Sequence, residues 1–178
     1  ENIEKKIRAH PFARDVKTKP RILTMTQSTY DGVIYNVDTI KDLLGTKIDT
    51  LHFDEAWLPH AAFHDFYRGM HAIGRDRPRS KDALIFSTQS THKLLAGLSQ
   101  ASQIHKRDAH IRGQQRYIEH KRFNESFLIN ASTSPFYPLF ASLDVNAKIH
   151  AGKAGEMLWD RCIALGIETR KKLREFGR

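Results

Sequence analysis

One lysine of the chain is surrounded by hydroxyl groups and small side chains. Lys93 closes the run Ser-Thr-His-Lys at residues 90–93, and an apolar run at residues 83–86 shortly precedes it. We therefore expect Lys93 to stand at the end of a buried strand. Burial favours the neutral form of an amine, and a neutral amine is a nucleophile. The chemistry that follows is attack on an aldehyde, and pyridoxal phosphate is the commonest aldehyde that proteins hold.

A carboxylate and a small side chain are placed to serve the same cofactor. Residues 49–57 read as a short strand that ends at Asp54. Pyridoxal phosphate needs a carboxylate against its ring nitrogen, because a protonated ring accepts electrons better, and it needs a small residue under the ring. Ala56, two positions on, points the same way as Asp54 if the strand continues. The alternatives are a solvated Lys93 and an Asp54 that caps a helix.

Five segments of the chain, taken in order, resemble those of a known enzyme family. The segments are residues 28–32, 53–57, 90–100, 120–124 and 131–138. They resemble bacterial pyridoxal-phosphate-dependent ornithine/lysine/arginine decarboxylases, and the resemblance extends from roughly Arg21 to Arg178. It implies an α/β fold with a mostly parallel sheet flanked by helices, the later part of an aspartate-aminotransferase-like (fold type I) large domain. It also implies decarboxylation of a basic amino acid by a homodimer or higher homo-oligomer.

The resemblance implies roles for individual residues. The expected cofactor-binding residues are Asp54, Ala56, Trp57, Ser90, His92, Lys93 and Ser132. Lys93 and His92 are the expected catalytic residues, because Lys93 carries the cofactor and either side chain can return a proton to the substrate carbon. Ser90 is expected to bind the cofactor phosphate, and Ser132 is expected to reach the phosphate of a neighbouring subunit.

Four of these residues also have structural interpretations. His92 fits a partly buried, hydrogen-bonded histidine, and Trp57 fits core packing. Ser90 fits a cap at the end of a strand, and Ser132 fits a capping cluster ahead of Pro135. The sequence leaves these alternatives open.

Ornithine is the favoured substrate, and its decarboxylation gives putrescine and carbon dioxide. Residues 103–114 and 135–148 resemble ornithine members of the family more than lysine or arginine members. Asn130 stands where the family usually has histidine, and Gln27 where it has asparagine, so lysine and arginine stay open. The family's upstream phosphate loop and stacking aromatic residue are not matched, so we expect a piece of a longer protein that is inactive alone. The rival interpretation is a non-catalytic basic binding domain.

The composition argues against several other classes of function. The formal net charge is +9, but lysines and arginines are spread from Lys5 to Arg178 without a recognised motif, so no nucleic-acid partner is expected. The single cysteine, Cys162, excludes an intrachain disulfide, and the histidines lack the spacing of a metal site. No apolar run is long enough to cross a membrane, and no secretory signal is visible. We expect a cytoplasmic protein without a membrane partner.

The order of the predicted elements supports the same fold. Strands are predicted at residues 21–26, 48–53, 83–87 and 102–105, and helices at 37–44, from Pro135 to Gly152, and at 155–176. Asn36 or Asp38 would cap the first of these helices, and Gly45 would end it. Alternating strands and helices favour a largely parallel sheet. The expected organisation is a basic helix and linker at residues 1–20, part of the cofactor-binding large domain at 21–152, and a long helix leading out of it at 153–178.

Overall fold

A four-stranded, mostly parallel sheet forms the centre of the chain. The computed structural model describes residues 2–12, 19–74 and 76–177. The strands are β1 (Ile22–Thr26), β2 (Thr50–Asp54), β3 (Leu84–Gln89) and β4 (Gln103–Arg107), in that order across the sheet. β1 pairs parallel with β2, and β2 pairs parallel with β3. The α/β class and the mostly parallel sheet predicted from the sequence are therefore confirmed.

Helices precede, connect and follow the strands. The α-helices of the described residues are α1 (Asn2–Ala9), α2 (Val37–Leu44), α3 (Thr91–Leu94), α4 (His120–Ile129), α5 (Tyr137–Ile149) and α6 (Gly152–Phe176). Single turns of 3₁₀ helix lie at Ala61–Phe63, Asp65–Tyr67 and Ala109–Ile111. The sequence did not predict α3 or α4 as separate helices.

The fourth strand runs antiparallel to the third. Gln103 at the start of β4 lies opposite Gln89 at the end of β3, so the link at residues 90–102 stays at one end of the sheet. A parallel pairing would require this link to cross the sheet again, usually as a long helix. The link contains only the single turn of α3, which is too short for that crossing. The residues after β3 therefore stay close to the end of the strand that they follow.

Local signals set the limits of α2. Asn36 accepts a hydrogen bond from the backbone N–H of Thr39 at 2.9 Å, which satisfies one of the free N–H groups of the first turn. Gly45 follows the last helical residue. The predicted helix and its end at Gly45 are confirmed, and of the two predicted caps, Asn36 and Asp38, Asn36 is the one that forms.

The last two helices begin at other residues than the sequence predicted. α5 begins at Tyr137 and has Pro138 in its first turn, so the prediction that Pro135 starts it was wrong. The reason is that Phe136 is extended (φ −94°, ψ 90°) and separates Pro135 from the helix. α6 begins at Gly152, earlier than predicted, and Gly152 has a φ of 63°, which glycine adopts without steric cost.

The core lies on one face of the sheet, under α2. Val37 and Leu44 of α2 pack there against Leu51 and Phe53 of β2, all of them buried. Each fully buried side chain of this size contributes about 1.5–3 kcal/mol. Since neighbouring side chains of a strand point to opposite faces, the burial of Leu51 and Phe53 turns the alternate residues of β2 to the other face. Asp54 is on that second face.

The two C-terminal helices bury little of their surface. Asn146 is the buried residue of α5, and Gly155 is the buried residue of α6. Large apolar side chains such as Phe140, Leu165 and Leu173 are more than half exposed. Within the described residues, no helix has the length and apolar character needed to cross a membrane.

Candidate active site

A cleft opens where β2 and β3 end. Its volume is about 410 Å³, within the range of small-molecule sites. It is lined by Asp54, Ala56, Thr88, Gln89, Ser90, Ser102, Gln103, Ile104 and Phe127. In α/β sheets, ligands bind outside the carboxyl ends of the strands. Three of the cofactor-binding residues predicted from the sequence line this cleft: Asp54, Ala56 and Ser90.

Asp54 is fixed through both its side chain and its backbone. Its Oδ1 accepts the backbone N–H of Ala56 at 3.1 Å. Its carbonyl oxygen accepts the N–H of Gln27 at 2.9 Å, and the next N–H, of Glu55, donates to the carbonyl of Thr88 at 2.9 Å. The end of β2 is therefore bonded to the segments on both sides of it, and the carboxylate is partly buried at a defined position.

Ala56 lies in a turn and not in a continued strand. β2 ends at Asp54, and residues 56–57 form the turn. Strand alternation therefore does not place Ala56 beside Asp54; the hydrogen bond that Asp54 accepts from Ala56 does so. Asp54 does not cap a helix, because the residues directly after it, 55–60, form turns and contain no α-helix.

Lys93 is one helical turn away from the strand end. β3 ends at Gln89, and Lys93 lies in α3. The prediction that Lys93 stands at the end of the strand was therefore wrong by one helical turn. Its side chain is partly buried, and Nζ lies 4.6 Å from the centroid of the Trp57 ring. Trp57 in turn meets the ring of Tyr30 edge-on at 5.5 Å between centroids. Lys93 therefore lies against the turn that carries Ala56 and Trp57, and it is not a fully solvated lysine.

His92 and Ser90 precede Lys93 in the chain and differ in their side-chain hydrogen bonds. The Nδ1 of His92 lies 2.9 Å from the carbonyl oxygen of Ala101, and because a carbonyl only accepts, Nδ1 carries a proton. This bond orients the ring and leaves Nε2 for other contacts. Ser90 stands at the N-cap position of α3, yet its side chain makes no capping hydrogen bond. Ser90 is one of the residues that line the cleft.

Trp57, His92, Lys93 and Ser132 are predicted site residues that do not line this cleft; the first three lie in or against the segments that flank it, whereas Ser132 belongs to a separate local turn. Ser132 is exposed, and its Oγ exchanges hydrogen bonds of 3.3 Å with the N–H and carbonyl of Ser134. This is a local turn ahead of α5. The role that the family resemblance implies for Ser132, toward a neighbouring subunit, stays a prediction.

Sequence reasoning missed a buried polar network behind the cleft. Glu55 is fully buried, and its carboxylate accepts hydrogen bonds from the N–H of Ala72 (2.5 Å), Ser87 Oγ (2.5 Å) and Gln89 Nε2 (3.0 Å). Gln89 Oε1 accepts from His105 Nε2 at 3.2 Å. Burial lowers the pKa of His105, and the nearby Glu55 opposes that shift. Strand alternation gave no signal for Glu55, because β2 ends at Asp54 and Glu55 lies one residue beyond it.

A second cluster packs α6 against the segment after the Trp57 turn. The ring of His60 stacks on Trp159 of α6, with centroids 4.8 Å apart, and His150 stacks on Phe63 at 4.9 Å. Burial lowers the pKa of His60 to about 4, so this histidine is neutral at physiological pH. The part of the chain that the structure describes contains no group of three or more potential ligands positioned for a metal ion.

The chemistry of the cleft fits the pyridoxal phosphate that the sequence implies. A fixed carboxylate, Asp54, suits a protonated ring nitrogen. A methyl side chain, Ala56, takes little room beside it in the same cleft. A hydroxyl without a capping partner, Ser90, suits a phosphate oxygen. The primary amine of Lys93 lies next to the turn that holds Ala56, where it can meet an aldehyde.

Comparison with known proteins gives the same result. Residues 1–177 match the family model described as "Orn/Lys/Arg decarboxylase, major domain". The chain is 46% identical to the constitutive ornithine decarboxylase of Escherichia coli over 163 residues, covering 92% of this chain and 23% of that enzyme. It is 43% identical to the lysine decarboxylase LdcA of Pseudomonas aeruginosa over 173 residues, covering 97% of this chain and 22% of that enzyme.

A solved structure is also similar over nearly the whole chain. The crystal structure of the Francisella novicida lysine decarboxylase LdcF superposes with a TM-score of 0.79 at 38% identity, covering 97% of this chain and 22% of that one. The chain spans between a fifth and a quarter of the length of these relatives. The fold and the family resemblance inferred from the sequence are confirmed, and the chain belongs to the ornithine/lysine/arginine decarboxylase family.

Proposed function

We propose that these residues hold pyridoxal phosphate in a decarboxylase of basic amino acids. The observation that carries the proposal is the position of the Lys93 amine, 4.6 Å from the ring of Trp57, in the turn whose other residue, Ala56, lines the cleft together with Asp54. When bound, the cofactor supplies an electron sink for the electron pair that remains when carbon dioxide leaves the substrate. The role of the chain is to orient this group and to hold and move protons around it.

Each side chain has one task in this proposal. Lys93 is the point of covalent attachment. Asp54 holds the proton of the ring nitrogen, and Ala56 leaves room for the flat ring. Ser90 donates its hydroxyl to the phosphate, and His92, whose ring is oriented through Nδ1, offers Nε2 for proton delivery.

Proton return to the substrate carbon falls to Lys93 or His92. Both residues lie on α3 at consecutive positions, and both are partly buried. Trp57 lies under the Lys93 amine and limits the water around it. General acid catalysis by such a group typically contributes 10²–10⁴-fold to a rate.

Ornithine is the substrate we propose, with putrescine and carbon dioxide as products. The similarity to an ornithine decarboxylase at 46% identity supports this choice, and similarity to a lysine decarboxylase at 43% keeps lysine as the alternative, with arginine behind it. Putrescine production is a step of polyamine biosynthesis, and we place the reaction in the cytoplasm. The exposed apolar side chains of α5 and α6 support a homodimer or larger homo-oligomer, in which Ser132 reaches the neighbouring subunit's phosphate.

Covalent trapping tests the proposal in the complete protein. The protein is saturated with pyridoxal phosphate, reduced with borohydride to make the carbon–nitrogen link permanent, digested and analysed by mass spectrometry. The label is expected on Lys93, and Lys93→Arg serves as a charge-preserving control that takes no label. Release of labelled carbon dioxide from ornithine, lysine and arginine is then compared at equal concentrations. A label on another lysine, or none, overturns the assignment of the site, and faster release from lysine overturns the choice of substrate.

A further inference from the structure

Glu55 is a carboxylate that the proposed chemistry does not yet use. It follows Asp54 directly in the chain, and its side chain is fully buried. Its three partners are an amide N–H, a hydroxyl and a side-chain amide, from Ala72, Ser87 and Gln89. The N–H of Ala72 and the side-chain NH₂ group of Gln89 can only donate, and a hydroxyl such as that of Ser87 can donate as well. Both oxygens of Glu55 therefore serve as hydrogen-bond acceptors, an environment that suits a carboxylate.

The charge of Glu55 is not neutralised by an ion pair within the described residues. The ion pairs that this part of the chain forms use other carboxylates, such as Asp49, Asp76 and Asp108. Hydrogen bonds alone hold the Glu55 charge in the interior. A charge in such a place is screened much less than a surface charge, so it acts on its surroundings over several ångströms.

The network also fixes Glu55 relative to Asp54. The N–H of Glu55 donates to the carbonyl of Thr88, and its carboxylate binds Ser87 and Gln89 on the same strand. Gln89 lines the cleft together with Asp54. Gln89 therefore links the buried Glu55 carboxylate directly to the cleft that Asp54 lines.

We propose that Glu55 is a positioning residue of the cofactor site, and that its buried negative charge acts through Asp54 to favour the protonated form of the cofactor's ring nitrogen. The inference rests on the proposed function, since it concerns the same cofactor. It goes beyond that function by adding a second carboxylate, which never touches the cofactor, to the group that holds the ring proton.

Two ligands separate this electrostatic role from a merely structural one. Pyridoxal phosphate carries the ring nitrogen, and its 1-deaza analogue has carbon in that place but the same shape, aldehyde and phosphate. Dissociation constants of both are measured with the complete protein by quenching of tryptophan fluorescence, without substrate. Glu55→Gln is expected to weaken the binding of pyridoxal phosphate by about tenfold relative to the analogue, because the variant removes a buried negative charge close to the cleft. Asp54→Asn is expected to change the same ratio by more, and Glu55→Asp, which keeps the charge, is expected to leave it near the wild-type value.

Each outcome of this experiment decides a different question. Equal weakening of both ligands by Glu55→Gln means that Glu55 only supports the fold, and unchanged binding of both means that it has no role; either result overturns the inference. Failure of the wild-type protein to bind pyridoxal phosphate at all refutes the proposed function itself. If Glu55→Gln does not fold, Ser87→Ala tests the same inference, because it removes one hydrogen bond of the network, lies outside the cleft lining and keeps the Glu55 carboxylate. This variant is expected to keep the wild-type ratio, and a tenfold loss of the ratio in the folded variant also overturns the inference.

Discussion

Replacing Asp54 by asparagine or by alanine separates its charge from its structural bond. Asparagine keeps an oxygen at the Oδ1 position, so the hydrogen bond from the N–H of Ala56 survives, and the turn at residues 56–57 should keep its shape. Alanine removes that bond as well, which costs about 1.5 kcal/mol of folding free energy for a charged acceptor at a partly exposed site. Both variants remove the negative charge that faces the cleft.

Both variants are expected to lose most of their activity, but only the alanine variant is expected to lose stability. Loss of one preorganised electrostatic contact typically lowers kcat by about 10²–10³-fold, or about 2.7–4 kcal/mol. Steady-state kinetics on ornithine with the complete protein, and thermal unfolding followed by circular dichroism, measure the two effects separately. We expect Asp54→Asn to unfold like the wild type and to lose activity. Wild-type kcat in Asp54→Asn would refute the role of the charge, and equal stability of the alanine variant would refute the role of the turn bond.

Four further results are expected. Lys93→Ala should abolish both borohydride trapping and turnover, and a variant that retains either one would contradict the assignment of the attachment site. Gly155→Ala should destabilise the protein by about 1–3 kcal/mol, because a Cβ there clashes with the His150 backbone, whereas the control Gly166→Ala, which has open space, should be neutral or slightly stabilising in thermal unfolding. The pKa of His60 is about 4 in the folded protein and about 6.5 unfolded, so the unfolded state takes up the proton first and stability should fall by up to about 3 kcal/mol as the pH drops from 6.5 to 4; in His60→Phe this decline in denaturant unfolding should shrink. The 178 residues expressed alone should release no carbon dioxide from ornithine even with added cofactor, since α5 and α6 expose apolar surface and Ser132 lies outside the cleft, and turnover by a monomer would show that the essential site residues were misplaced.

Local patterns in the sequence predicted what depends on local physics. The Asn36 cap of α2 and the positions of the strands follow from hydrogen-bonding side chains and apolar runs, and both were predicted. The direction of β4 could not be predicted from the length of the link before it. A link as long as residues 90–102 can either cross the sheet to a parallel strand or stay at one end and lead into an antiparallel strand. The start of α5 could not be predicted either, because Pro135 and Pro138 suit a first turn equally well and only the extended Phe136 decides between them.

Three of the predicted site residues lie together in the fold. Asp54, Ala56 and Ser90 line one cleft, and their roles toward a cofactor stay predictions. Glu55 could not be predicted in the same way, because it lies one residue beyond the end of β2, where strand alternation no longer applies. Contacts such as that of Glu55 with Ala72 join segments far apart in sequence, and only the folded chain shows them.

The two central groups of the site are held in different ways. Asp54 has a short side chain, which is fixed by its own bond to Ala56 and by backbone bonds on both sides, each contributing about 0.5–1.5 kcal/mol. The Lys93 amine stands at the end of a long, flexible side chain and rests on Trp57 through a cation–π contact worth about 0.5–2 kcal/mol. In the proposed reaction the amine would release the cofactor to the substrate and take it back in every cycle, whereas the carboxylate would keep its place against the ring. A mobile amine beside an anchored carboxylate is the arrangement that these two tasks require.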